Sequence, residues 1–267
     1  MMATIKTNDM KAKIISITNH KGGVGKTTTA LNLGAALNRL GKKVLVVDMD
    51  AQANLTLSLG ITEEPQNTIY KNLRGKMEVE PISILPGFDL VPSELDLSGA
   101  EVELLQEFLW EQRLKSLLEP LRSKYDFILI DTPPSLGVLT TLSFVAADEV
   151  FVILQSQYLA LQGLGKLTKV LNMVQKRANS SLKLSGVLIT QYDGRKSLNR
   201  AISEQIESFF KEWKGCRVFN TKIRDNVSLA EAPIRGVDIF RYAPKSKGAA
   251  DYQALAEEVV SMNKKKR

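Results

Sequence analysis

The sequence predicts an α/β fold: a single domain built on a mostly parallel sheet covered by helices on both faces. Three observations carry this. Short, nearly continuous apolar runs recur along the chain, as strands buried on both sides require. Longer segments with apolar residues at helical spacing alternate with those runs. A glycine-rich turn joins the first run to the first helical segment.

The elements follow in order. Lys13-Ile14-Ile15-Ser16-Ile17-Thr18 has the β-branched, apolar character of a buried strand. From Thr27 onward, Ala30, Leu33, Leu37 and Leu40 recur at helical spacing, and Gly41 marks a C-cap. Residues 44–47, 127–130, 150–154 and 187–189 read as strands, with 88–91 and 218–219 weaker. Residues 99–118, 163–177, 197–213 and 249–262 read as helices. Residues 63–86 show no clear period and are expected on the surface. The domain spans 13–262, after a flexible extension over 1–12 and before a basic tail over 263–267.

Bulk properties narrow the setting. The 267 residues suit one large α/β domain, and 44% hydrophobic content supplies a core. No apolar run is long enough to span a bilayer, and the first residues lack the apolar stretch of a signal peptide. The lone Cys216 rules out an internal disulfide, and one histidine beside it leaves no Cys/His zinc set. A reduced, cytoplasmic location is expected. Lys plus Arg total 36 against 29 acids, a net +7 that favours a polyanionic partner if it gathers on one face.

The turn itself reads Lys21-Gly22-Gly23-Val24-Gly25-Lys26-Thr27-Thr28. Its glycines let backbone N–H groups close on phosphate oxygens, Lys26 adds charge, and the Thr27 hydroxyl is placed to ligate magnesium. Strand, glycine turn and helix together aim amides and a helix N-terminus at one anion. Two later strands end in acids: Asp48-Met49-Asp50 after 44–47, and Asp131-Thr132-Pro133-Pro134 after 127–130. Asp131 takes the magnesium-water role of a Walker B acid. Asp48 and Asp50 share a face if the strand extends through both, and one of them would orient an attacking water. Each acid is also a good helix N-cap. The two prolines and Gly137 suit either a switch that answers to the γ-phosphate or a rigid turn.

Where the ordinary phosphate-loop pattern has a glycine five residues before Gly25, this chain has His20, and its extra Lys21 matches the deviant form Lys-Gly-Gly-x-Gly-Lys-Thr. With Asp48-x-Asp50-Ala51-Gln52-Ala53-Asn54, Asp131 to Gly137, the block from Gln157 to Gly163 and that from Asn226 to Pro233, the chain resembles the ParA/Soj-type partition ATPases over roughly residues 13–260. That branch also contains the MinD proteins and the nitrogenase iron protein. Ala51 replaces the family's proline.

The resemblance implies a P-loop ATPase that uses ATP and Mg2+ and closes as a homodimer around two nucleotides. Lys21 would reach the partner's phosphates while Lys26 serves its own, and Asp50 would position the hydrolytic water. Asn226, Val227 and the turn after Ile189 would border adenine. ATP dimers of the family bind double-stranded DNA without sequence preference. Arg195 corresponds to one basic DNA contact, whereas another falls on Ser228; Arg200, Arg224, Arg235, Arg241, Lys245 and Lys247 lie in the same half. A nucleoid-associated ATPase, slow until a ParB-like centromere-binding protein stimulates it, is the implied function. A MinD-like membrane-positioning ATPase and a ParA-like ATPase carrying a non-DNA cargo share these motifs. An iron–sulfur reductase is disfavoured because Cys216 alone cannot hold a cluster.

Overall fold

The computed structural model describes residues 11–157, 161, 163–213 and 215–264. Residues 1–10 of the expected extension, 265–267 of the basic tail, and 158–160 and 162 of the Gln157–Gly163 block lie outside the described residues. Lys11 and Ala12, counted with the extension, already hold to the domain: Lys11 pairs with Glu119 at 2.7 Å and the Ala12 amide donates to the Arg122 carbonyl.

Eight strands form one sheet: β1 (Lys13–Thr18), β2 (Val44–Asp48), β3 (Ile82–Leu85), β4 (Phe88–Val91), β5 (Phe127–Asp131), β6 (Glu149–Gln155), β7 (Lys183–Tyr192) and β8 (Arg217–Arg224). Their order is β3-β4-β2-β5-β1-β6-β7-β8, and every pairing is parallel except β3 with β4. The helices are α1 (Lys26–Arg39), α2 (Asn54–Ser58), α3 (Ile69–Leu73), α4 (Leu97–Leu104), α5 (Arg113–Leu118), α6 (Val138–Ala146), α7 (Leu164–Arg177), α8 (Ser197–Lys211), α9 (Val227–Glu231), α10 (Ile239–Tyr242) and α11 (Lys247–Lys264).

Alternation along each strand feeds two cores. Ile14, Val47, Ile130, Val152 and Ile189 face a layer holding Leu104, Leu118, Leu142, Leu171 and Ile206 of α4 to α8. Ile15, Val46, Leu129, Ile153 and Leu188 face the layer of α1, α10 and α11. Helices therefore cover both faces. β1 lies between β5 and β6, so helices depart to opposite faces around its carboxyl end, which is where open sheets of this kind leave a crevice.

Helix α1 owes its seat to Gly34. A Cβ there would stand 2.9 Å from the Phe88 ring and 3.0 Å from Val46 Cγ1, so helix and sheet meet without a side chain between them. Gly34→Val is expected to destabilise the protein by about 1–3 kcal/mol, the usual cost of overpacking a close-fitted core, read as a lower urea midpoint at unchanged m.

The structure corrects two expectations about elements. The helix expected over 99–118 is broken: α4 stops at Leu104, Leu109 adopts φ 56, and a 3-10 turn over Trp110–Gln112 leads into α5. At 3.6 residues per turn, a continuous helix would swing Leu114 about 80° off the stripe of Leu97, Ala100 and Leu104. The break re-aims it, and all four are buried. Residues 63–86 contain α3 and the edge strand β3, joined to β4 by a turn in which Pro86 precedes Gly87 at φ 76. That Pro-Gly pair is a type II signature. β7 and β8 also run well past the short apolar centres read from sequence.

Candidate functional site

The cradle forms between β1 and α1. Gly23 and Gly25 sit at φ 72 and 91, a region that would strain any residue with a Cβ. Gly25 opens α1 with no side-chain cap, so the first-turn amides stay available to a ligand. The loop carbonyls are instead fastened outward. Gly23 O accepts from Gln155 Nε2 at 2.8 Å and Gln191 Nε2 at 3.2 Å, and Val24 O accepts from Thr190 Oγ1 at 2.8 Å. Asn19 steadies the entry, donating to Ile153 O at 2.6 Å and accepting from the Lys21 amide at 3.0 Å. With the carbonyls held this way, the turn keeps its amides for an anion. Sequence reading missed Asn19 and Gln155, and it took the turn holding Thr190 and Gln191 only as a border of the base. Their signal was a polar residue one or two positions past the last apolar residue of β1, β6 or β7.

The two lysines take different places. Lys26 is 6% exposed, and its Nζ donates to Lys21 O at 3.2 Å. Burial lowers its pKa, and the Asp131 and Asp50 carboxylates pull it back up. Lys21 instead turns to the end of β6, where its Nζ reaches Gln157 Oε1 at 3.0 Å and Gln155 Oε1 at 3.4 Å. Gly22 lies beside Pro134, so the loop abuts the turn after Asp131.

Three carboxylates close the cradle from below. Asp48 and Asp131 are register partners on β2 and β5. Asp48 accepts from Thr56 N at 2.9 Å, Thr56 Oγ1 at 2.7 Å and Asp50 N at 3.1 Å. Burial still pushes its pKa up to about 6. The strand ends at Asp48, so extension does not carry through Asp50; Asp48 anchors the turn that holds Asp50. Asp50 is 8% exposed and accepts from the Gln52 amide at 3.0 Å. Burial, and then Asp48, raise the pKa of Asp131 well above the carboxylate range, while a Thr27 hydrogen bond and the Lys26 charge oppose them.

These donors fit a divalent cation. Asp131 Oδ1 is buried with no protein partner, and the Thr27 hydroxyl is its neighbour. Among the described residues no three His, Cys, Asp or Glu side chains cluster as a ligand set. Thr27 and Asp131 would hold such a cation, and the rest of its shell would come from phosphate oxygens and water, as magnesium usually requires.

Beside the cradle, Val24, Gly25, Thr28, Thr190, Gln191, Asn226 and Tyr252 line a cavity of about 160 Å3. Asn226 caps α9 by accepting from Ser228 N at 2.9 Å. Val227 is 72% exposed and is not among the lining residues. Tyr252 reaches the cavity from α11 and hydrogen-bonds Thr29 at 3.2 Å, so the last helix helps set the width of the site.

The basic residues divide. Arg195 forks onto Asp193, with both nitrogen–oxygen contacts at 2.9 Å, and Arg224 is held by Asp251 at 2.6 Å. Arg241 pairs with Asp238, and Arg200 donates to Gly194 O at 2.7 Å. Arg235, Lys245 and Lys247 are exposed and take part in none of the ion pairs among the described residues.

His20, the chain's single histidine, packs on Gly163 at the start of α7. A Cβ at Gly163 would fall 2.1 Å from the imidazole. Burial lowers its pKa first, then the charges of Lys166, Lys26 and Lys21. The unfolded chain therefore takes up a proton that the folded one refuses, and stability is lost as pH falls through the ordinary value of about 6.5. Asp48 and Asp131, raised by burial, act with the opposite sign in both proteins. Thermal unfolding is therefore expected to show the difference between wild type and His20→Gln moving against the wild type as pH falls through that window.

Known proteins resemble this chain along nearly its whole length. The AAA domain family model matches residues 12–184. The chain is 43% identical over 253 residues to the sporulation initiation inhibitor protein Soj of Bacillus subtilis, covering 93% of this chain and 98% of that one. It is also 43% identical over 252 residues to the chromosome-partitioning ATPase Soj of Treponema pallidum, covering 93% and 97%. The solved structure described as cobyrinic acid a,c-diamide synthase from Mycobacterium smegmatis with bound ADP and magnesium superposes with a TM-score of 0.82 at 34% identity, over 96% of this chain and 97% of that one. With a deviant phosphate loop, an anchored acid turn and this likeness along nearly its whole length, the chain belongs to the ParA/Soj family of chromosome-partitioning ATPases.

Proposed function

We propose that this ATPase works as a partition switch, in which Mg·ATP closes two copies into a dimer that binds double-stranded DNA without sequence preference. A ParB-like partner then stimulates hydrolysis and releases it. The observation that carries the reading is the contrast between the lysines: Lys26 lies buried in its own cradle, whereas Lys21 hangs at the rim on two glutamines. A second cation is surplus to one nucleotide and useful where two nucleotides face each other. In this reading Thr27 and Asp131 hold the magnesium shell, Asp50 orients the attacking water, and the protein is cytoplasmic and nucleoid-associated.

The DNA contacts best supported are Arg200, Arg235, Lys245 and Lys247, exposed and in none of the ion pairs among the described residues, and Arg195, whose side chain stays 91% exposed beside Asp193. Arg224 and Arg241 are held more closely by Asp251 and Asp238. DNA binding measured across salt is expected with ATP, to fail with ADP and in Lys21→Ala, and to follow log salt. Combining Lys245→Glu with Lys247→Glu should flatten that slope by about 0.9 for each phosphate the variant leaves unneutralised. Binding indifferent to nucleotide and to Lys21→Ala would remove the switch.

The MinD-like alternative needs a helix with an apolar face free for lipid. Helix α11 commits Leu255, Val259 and Met262 to the core, each 9% exposed or less. No helix among the described residues is long and apolar enough to cross a membrane.

A further inference from the structure

Helix α3, the turn after it and α5 border a cavity of about 390 Å3 that shares no residue with the cavity beside the cradle. Its polar wall comes from Asn72, Lys76, Glu78, Arg113 and Ser116. Two cations there have charge to offer. Arg113 uses its Nε on Leu73 O at 2.8 Å, and its two terminal nitrogens have no partner among the described residues. Gly75, at φ 68, makes room for that guanidinium, since a Cβ would collide with Arg113 Nη2. Lys76 is exposed and pairs with no acid among the described residues.

An acceptor is left over as well. Asn72 is fully buried, and its Nδ2 donates to Asn67 Oδ1 and Glu78 O at 2.9 Å and to Met77 O at 3.2 Å, holding the turn around it. Its Oδ1 is buried with no partner. A buried carbonyl oxygen without a donor is costly, so this wall calls for an N–H or O–H from its occupant. Charged donors and open acceptors, the Glu78 carboxylate among them, therefore border one cavity. A bare anion answers only the first, and a bare cation only the second.

We infer that this cavity is a binding site for a small organic anion that also carries hydroxyl or amine donors, the chemistry shared by amino acids and hydroxylated phosphate esters. Arg113 and Lys76 take the anionic group, one as a planar fork and the other as a point charge. Asn72 Oδ1 and Glu78 accept from the donors. Helix α3 ties the cavity to hydrolysis. Its N-cap Thr68 donates to Glu94, Ser93 N donates to Thr56 Oγ1 at 3.0 Å, and Thr56 Oγ1 donates at 2.7 Å to Asp48, which anchors the Asp50 turn. A ligand that shifts α3 is felt at Asp50. This link rests on the role proposed above for Asp50; the binding site does not.

The test titrates the full chain by calorimetry with Mg·ADP saturating, so that a phosphate probe does not enter the cradle. Glycerol 3-phosphate and serine carry both functions, whereas sulfate and acetate are anions without donors. At least one of the first pair should saturate a single site about tenfold more tightly than sulfate or acetate, and which one does so identifies the anionic head. Lys76→Gln and Arg113→Gln should each weaken that binding about tenfold, as expected for one lost charge-assisted contact. Lys76 is exposed and unpaired, so its variant keeps the test decisive even where Arg113→Gln disturbs the turn. The bound probe should shift the ATP hydrolysis rate of the wild type and leave that of Lys76→Gln unchanged. Neither probe saturating, sulfate or acetate binding as tightly, or a Lys76→Gln protein that binds as the wild type does would overturn the site. Binding without a change in rate would overturn the link through α3. Failure of the role given to Asp50, read from Asp50→Ala, would leave the titrations as they are.

Discussion

Asp50→Ala is expected to slow steady-state ATP hydrolysis by about 10²–10⁴-fold, the range for losing a group that positions or accepts a proton. Affinity for Mg·ATP should change little. The reason lies in how Asp50 is held. Its amide is pinned by Asp48 at 3.1 Å, one carboxylate oxygen accepts from Gln52 at 3.0 Å, and the charge acts on Lys26 and Asp131. Such a carboxylate is fixed within reach of the Lys26 charge, and it would not itself bind phosphates, since like charges repel. Phosphate release measured beside nucleotide titration separates kcat from binding. A raised KM at unchanged kcat would show that Asp50 supports the loop and does no chemistry. Asp48→Asn is a useful contrast, because its carboxylate is consumed by Thr56 and the Asp50 amide.

Lys21→Ala should leave binding of ADP by a single copy nearly intact, abolish association driven by a non-hydrolysable ATP analogue, and cut hydrolysis by about 10²–10³-fold, as when one preorganised charge is removed from a transition state. Lys26→Ala should instead lose the nucleotide itself, because that side chain is buried in the cradle. Sedimentation velocity with the analogue and with ADP reads the difference. A Lys21→Ala protein that still associates would break the link between the rim lysine and the second copy.

Legibility in the sequence followed the range of the interactions. The phosphate turn is local: glycines, lysine and threonine within eight residues state what the backbone must do, and the flanking strand and helix confirm it. Strand-end acids are less plain, because a carboxylate after an apolar run also serves as a cap or turn anchor, as Asp48 does for Thr56 and the Asp50 amide. The break in 99–118 was harder, since leucines on both sides of α4 imitate one long buried helix. Only packing shows that Leu104 is buried while Leu105 and Phe108 are not. Of the pair expected to border adenine, Asn226 lines the cavity beside the cradle and caps α9, while the Val227 side chain is 72% exposed.

By itself the sequence determined the α/β class, the glycine-rich turn, the acids at the strand ends and the family, because each rests on residue types at short spacing. Tertiary structure decided what orients that chemistry. Gln155 and Thr190 reach the loop carbonyls across 132 and 166 residues of chain, and Tyr252 reaches Thr29 across 223. It also decided which cations pair with neighbouring acids, as Arg224 does with Asp251, and which do not. Pairings over such distances depend on how the strands are ordered in the sheet, and no local pattern of residues encodes that order.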